Sequence, residues 1–409
     1  MKFIPARVAV LLCFALLLAA CTVSPTEEAE ATKAAPEEVN PTEMTANEPT
    51  PTFERGSPED TPPPGAEREF STDFSVHSVP YTEILSGGPS KDGIPPIDQP
   101  SFVSITEADT WLEDVEPIIR VQFNGEVKAY PIQILMWHEI VNDEVGGEPI
   151  TVTFCPLCNT GLAFLRTVEG SVLDFGTTGR LRYSNLIMWD RQTETWWQQG
   201  TGEAIVGKLT GKRLEFIPAP IISWEQFKDA HPDGTVLSLE TGFLRSYGDN
   251  PYVGYDNINN PPFLYRGPDL SDELPPVARI LAVELGGESV AYPYQTLEAY
   301  PVVNHEVGGE QIVVLWQAGT SSALDTADIA QGRDVGTANA YSRVLNGQTL
   351  TFNLDGERIL DNETGSEWDV LGRAIGGELA GSQLEEVIAF NHFWFSWAVF
   401  APETVVYSP

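Results

Sequence analysis

The chain has 409 residues, and its 59 Asp and Glu against 23 Lys and Arg leave a formal net charge of −36. This length suits two or three domains, and a hydrophobic content of 42% with 10 Trp supplies real cores, which excludes a wholly disordered chain. The negative surplus, which no Lys/Arg-rich run reverses locally, excludes nucleic-acid binding.

In chain order, the first predicted element is a targeting segment. Lys2 and Arg7 precede the apolar run Val8–Leu18, and small residues Ala19-Ala20 precede Cys21. A basic start, a short apolar stretch and a small-residue cut site read as a signal peptide over residues 1–21. Small residues just before a Cys resemble a bacterial lipobox, with acylated Cys21 as the mature N-terminus. The expected location is therefore extracytoplasmic, lipid-anchored to the cell membrane, or to the outer membrane in a cell that has two. Residues 22–70 are rich in Pro, Thr, Ala and Glu and carry 12 acidic residues against Lys33, Arg55 and Arg68. Such composition predicts a disordered tether, followed by a lead-in over 71–100.

Beyond residue 100 the chain repeats itself. Residues 129–152 match 291–314 without a gap, with 14 of 24 positions identical, among them Ala129-Tyr130-Pro131 with Ala291-Tyr292-Pro293 and Gly146-Gly147 with Gly308-Gly309. A second block pairs Gly202, Leu214 and Trp224 with Gly372, Leu384 and Trp394 at an offset of 170. Two copies of one unit are expected, 101–240 and 263–409, joined by 241–262 and packed as a pseudo-symmetric pair. Period-2 runs such as Ile150–Phe154, with Asn-Gly and Gly-Gly turns, predict hairpins, and helical periodicity is confined to pieces such as Ile132–His138. The fold class expected is mainly β with a few short helices.

Cys155 and Cys158 form a C-x-x-C and are the only thiols expected in the mature folded region. Three chemistries remain open: an inert disulfide, a redox dithiol, or a metal site. If Gly146-Gly147 is a two-residue turn, facing positions sum to 293, which sets Val141 against Val152 and carries His138 toward Cys155. His138, Cys155 and Cys158 would suit one transition-metal ion, copper or zinc, with Glu139 or Asp143 as a further ligand. The second copy has Tyr300, Gln317 and Thr320 at these places, so one centre is expected, in the first copy only. A weaker constellation, Arg180, Arg182 and Arg191 with Trp197 and Gln198, could hold a small anion or a sugar. No G-x-S-x-G or H-E-x-x-H is present.

The runs Trp137-His138-Glu139-Ile140-Val141-Asn142-Asp143, Val152–Cys158, Asp190-Arg191-Gln192-Thr193, Tyr247–Tyr252 and Phe393-Trp394-Phe395-Ser396-Trp397 resemble the domain-of-unknown-function family DUF3179 over about residues 100 to 409. That resemblance implies no established activity. The leading expectation is an exported, lipid-anchored protein with one metal or redox centre, either an enzyme or a binding module. A thiol–disulfide oxidoreductase and a surface ligand-binding protein with an inert disulfide are the alternatives.

Overall fold

The structure is a computed structural model that describes residues 53–409. The expected signal segment, the lipid-bearing Cys21 and the tether up to residue 52 lie outside the described residues. Among the described residues six short α-helices accompany a fold built mainly of strands, and none of these helices is long and apolar enough to cross a membrane.

Three larger sheets and a two-stranded ribbon, Thr167–Val168 with Ser171–Val172, form in the first half. Strands Pro117–Phe123 and Glu126–Pro131 centre a five-stranded sheet, flanked by Ile221–Ser223 on one side and by Thr235–Leu237 and Phe102–Ser104 on the other. Strands Ile140–Val145, Glu148–Cys155 and Thr160–Leu165, with Glu215–Ile217, form the second sheet. The third includes Phe175–Arg182, Asn185–Asp190 and Trp196–Gln198.

Pairing in the second half follows the same offsets. Ile119 faces Tyr130 as Leu281 faces Tyr292, and Val141 faces Val152 as Val303 faces Val314. Ile221 faces Ile119 as Asn391 faces Leu281, and Thr235 runs parallel beside Lys128 as Val405 does beside Val290. The identical Glu-Val-Gly-Gly-Glu segments have a steric cause. Gly146 and Gly308 sit at φ of 59° and 57°, where a Cβ would meet the carbonyl oxygen of Phe123 or Leu285 at 2.3 or 2.1 Å. Each Gly-Gly turn is thus pressed onto the neighbouring hairpin.

The cores mix the two halves. Ile118, Ile222, Trp224 and Phe227 pack with Val313, Leu315, Tyr341 and Trp368, whereas Ile280, Phe390 and Trp394 pack with Cys155, Cys158, Phe164 and Trp197. Each half buries its Trp, 224 or 394, in a core shared with the other.

One boundary needs correction. Residues 53–70, expected within the tether, pack on the body: Phe53 stacks on His77 with centroids 4.6 Å apart, and Phe70 sets its edge against Trp189 and Trp196. Average composition concealed this docking because a few aromatic rings suffice, Phe70 against the Trp-rich face of the third sheet and Phe53 against His77.

Candidate functional site

The Cys155-Pro156-Leu157-Cys158 turn joins the strand Glu148–Cys155 to Thr160–Leu165. Both cysteines are free and buried, 2% and 0% exposed, at the two ends of this one short turn. Burial, the neighbouring sulfur and the carboxyl of Glu139 push the Cys158 thiol well above its usual range. Cys158 therefore keeps its proton, and its S–H lies 3.5 Å from the carbonyl oxygen of Ser184.

Residues from the second half clamp this turn. Arg279 donates to Asn159 Oδ1 at 2.7 Å, and the hydroxyls of Thr160 and Ser396 reach the Cys158 carbonyl at 3.1 and 3.4 Å. His392 Nδ1 lies 2.8 Å from Thr160 Oγ1 and 3.0 Å from Ser396 Oγ. Nδ1 is thus held between two hydroxyls, while Nε2 is buried without a partner. Complete desolvation holds this imidazole neutral, with its pKa lowered to about 3.

Glu139 follows the helix Ile132–His138 and closes it in the left-handed conformation, φ 58°. Few residues other than Gly or Asn adopt that conformation without strain. The residue is 8% exposed, and its carboxyl has no hydrogen-bond partner among the described residues and lines a cavity of about 240 Å³. Burial alone raises its pKa to about 8, so the group is mainly protonated at neutral pH. The cavity wall is otherwise mostly apolar: Ile94, Leu157, Leu181, Leu186 and Phe263, with Tyr252 and Tyr255 from the connecting segment. Both tyrosines are held protonated by burial and by the nearby thiols, and Tyr252 also feels the Glu139 carboxyl. Cavity and dithiol are therefore neighbours.

His138 is directed elsewhere. Antiparallel pairing ends at Ile140 against Thr153, and the turn at Glu139 breaks the register that would have carried His138 to Cys155. Its ring instead ties the lead-in to the connecting segment, with Nδ1 2.7 Å from the Pro95 carbonyl oxygen and Nε2 2.7 Å from the Tyr247 hydroxyl. Asp143 is engaged by Lys128 and Tyr130 at 3.1 and 2.6 Å. Among the described residues no three His, Cys, Asp or Glu side chains are grouped so as to hold a metal ion.

The arginines diverge. Arg180 pairs with Glu69, Arg182 with Glu83, and Arg191 with Asp92 and Asp98, so they form no common anion site. Trp197 is buried with its indole N–H on Asp190, a bond that Trp368 repeats on Asp361, and Gln198 donates to the Leu186 carbonyl. Of this set only Arg180 reaches the cavity. Tyr255, Arg279 and His392 escaped the sequence reading. Their signal was faint: Tyr255 lies three residues past the Tyr247–Tyr252 run, and His392 stands just before Phe393-Trp394.

Fold and site together define a mainly β protein with a buried dithiol beside an apolar cavity. The chain belongs to the family described as a protein of unknown function (DUF3179), whose model matches residues 91–404. A search of curated proteins and a search of solved structures each return no match.

Proposed function

We propose that Cys155 and Cys158 are a redox dithiol that cycles with a disulfide in an exported protein anchored through Cys21. The observation that carries this reading is the pair of free, buried cysteines flanking Leu157, which lines a cavity whose one unpartnered acid, Glu139, can exchange protons. Oxidation forms one S–S bond, breaks two S–H bonds, and passes two electrons and two protons to a small organic two-electron acceptor, either a disulfide or a quinone. Glu139 accepts a thiol proton when ionised and returns it to the reduced acceptor. Cys158 holds its proton more firmly than an exposed thiol, which assigns it the second step, attack on the bond that Cys155 has formed.

The sulfur pair is also where a soft metal would bind, since two thiolates suit copper(I) without a third ligand. Thiol titration of protein purified without reductant, with elemental analysis of the same sample, separates the readings. The redox reading expects no stoichiometric metal and a 155–158 disulfide that forms and reduces reversibly. A disulfide that resists dithiothreitol under native conditions would overturn it in favour of the inert bridge of a ligand-binding protein. For the anchor, Cys21→Ser should release the protein from the membrane fraction; undiminished detergent-dependent partitioning would refute it. We also infer that the halves 101–240 and 263–409 descend from one duplicated unit, a reading supported by the shared register at constant offsets.

A further inference from the structure

The thiols, at 2% and 0% exposure, cannot be reached by a disulfide carried on another folded protein. An electron acceptor has to be a small molecule entering the neighbouring cavity, and the chemistry of that cavity restricts its class. Its three walls come from the lead-in (Gly87, Pro89, Ile94), the first half (Glu139, Thr177, Leu186) and the connecting segment (Tyr252, Tyr255) with Phe263 just beyond it. Arg180, the cation among them, is already engaged by Glu69 and by the Thr178 carbonyl at 2.9 Å. A charged disulfide would lose its hydration here and find no free counter-ion. The lining groups with a proton to donate and no acceptor for it among the described residues are the carboxyl of Glu139 and the hydroxyls of Tyr252 and Tyr255, the last of which only accepts from the Phe263 N–H. Such donors in the wall of an apolar slot match the carbonyl oxygens of a flat ring.

We propose that this cavity binds an uncharged quinone-type ring, with a carbonyl oxygen received by Glu139, and that this molecule is the oxidant of the Cys155–Cys158 pair. The step balances: two S–H bonds break and one S–S bond forms, while the two carbonyl oxygens take up two protons and the ring two electrons, becoming the hydroquinone. The inference rests on the redox reading for its second clause and on the cavity alone for its first.

The probe is 1,4-naphthoquinone added to the purified full chain, with binding read by quenching of intrinsic fluorescence. The Cys155→Ser/Cys158→Ser protein isolates binding from thiol chemistry and is expected to bind saturably. On that background Glu139→Gln, which still donates, should bind within about threefold, and Glu139→Leu roughly tenfold more weakly, the cost of one hydrogen bond to a buried acceptor. Affinity should fall as pH rises through 8 with Glu139 present and stay level in the Gln variant, while circular dichroism verifies that each variant is folded. The unsubstituted chain should convert one naphthoquinone per 155–158 disulfide mapped by peptide mass. Absence of saturable binding, or equal affinity and pH response in the Leu variant, overturns the site. Binding by the double-Ser protein without turnover by the unsubstituted chain would leave the site standing and overturn its role as oxidant site. Oxidation by a small neutral disulfide with no quinone binding would overturn this inference alone and preserve the redox reading.

Discussion

Glu139 and His392 are both buried ionisable groups held neutral, and their pH signatures run in opposite directions. Glu139 has a folded pKa of about 8 against an ordinary 4.5, so the folded state holds the extra proton between those values. Its contribution to stability is fully present below pH 4.5 and is lost as pH rises to 8, by an order of a few kcal/mol. Glu139→Gln should remove that decline, which urea unfolding at pH 5 and pH 8 will reveal as a smaller difference between the two pH values than in the unsubstituted chain. His392, lowered to about 3, behaves conversely: its contribution is present above 6.5 and lost as pH falls toward 3. At the same scale, Arg279→Ala removes the bond to Asn159 that fixes the C-x-x-C turn. Local opening should then become easier, and Cys158 alkylation by iodoacetamide should speed up by roughly tenfold, equivalent to about 1.4 kcal/mol of lost protection.

Among the elements, the hairpins owe their shape to glycines that were legible in advance, and the two members of each turn differ in what they tolerate. Gly147 has φ of 80° but open space where a Cβ would point, whereas a Cβ at Gly146 would strike the Phe123 carbonyl. Gly147→Ala should cost about 1 kcal/mol, the ordinary penalty of a left-handed position. Gly146→Ala should cost at least 1 kcal/mol more, because a backbone atom has to move as well. Chemical denaturation of the two variants side by side tests the contrast, and equal losses would show that the turn can shift without cost. The helix ends differ for a reason of the same kind: Glu139 caps the first in the left-handed region, while the second half has Pro301 at the corresponding place, where proline's ring fixes φ negative. The second half therefore has no counterpart of the cavity acid.

In the whole molecule, the exchange of core residues makes each half depend on the other. Trp224 lies among Val313, Leu315 and Trp368, and Trp394 among Cys155, Cys158 and Phe164. Trp224→Ala and Trp394→Ala should each cost about 3–5 kcal/mol, read as a shift of a single unfolding transition. A fragment ending at residue 240 would expose the Trp224 face and should aggregate or stay unfolded. A monomeric fragment with a cooperative transition by circular dichroism would contradict that dependence.

The sequence by itself determined the mainly β class, the hairpins and their register, because period-2 alternation and glycine turns are local properties of the chain. Val141 faces Val152 as the turn arithmetic required. It also singled out Cys155 and Cys158, since spacing alone brings two thiols together. Local rules could not show where the register ends. A single left-handed residue, Glu139, turns His138 away from the sulfurs toward Pro95 and Tyr247. Nor could they show that the arginines would each find a separate carboxylate, or that Phe53 would dock on His77 and Phe70 on distant tryptophans. The tyrosine wall that buries the Glu139 carboxyl, and the clamp of Arg279, His392 and Ser396 around the dithiol, exist only because segments more than 100 residues apart meet. Burial and hydrogen-bond satisfaction are properties of that meeting, and tertiary structure alone decides them.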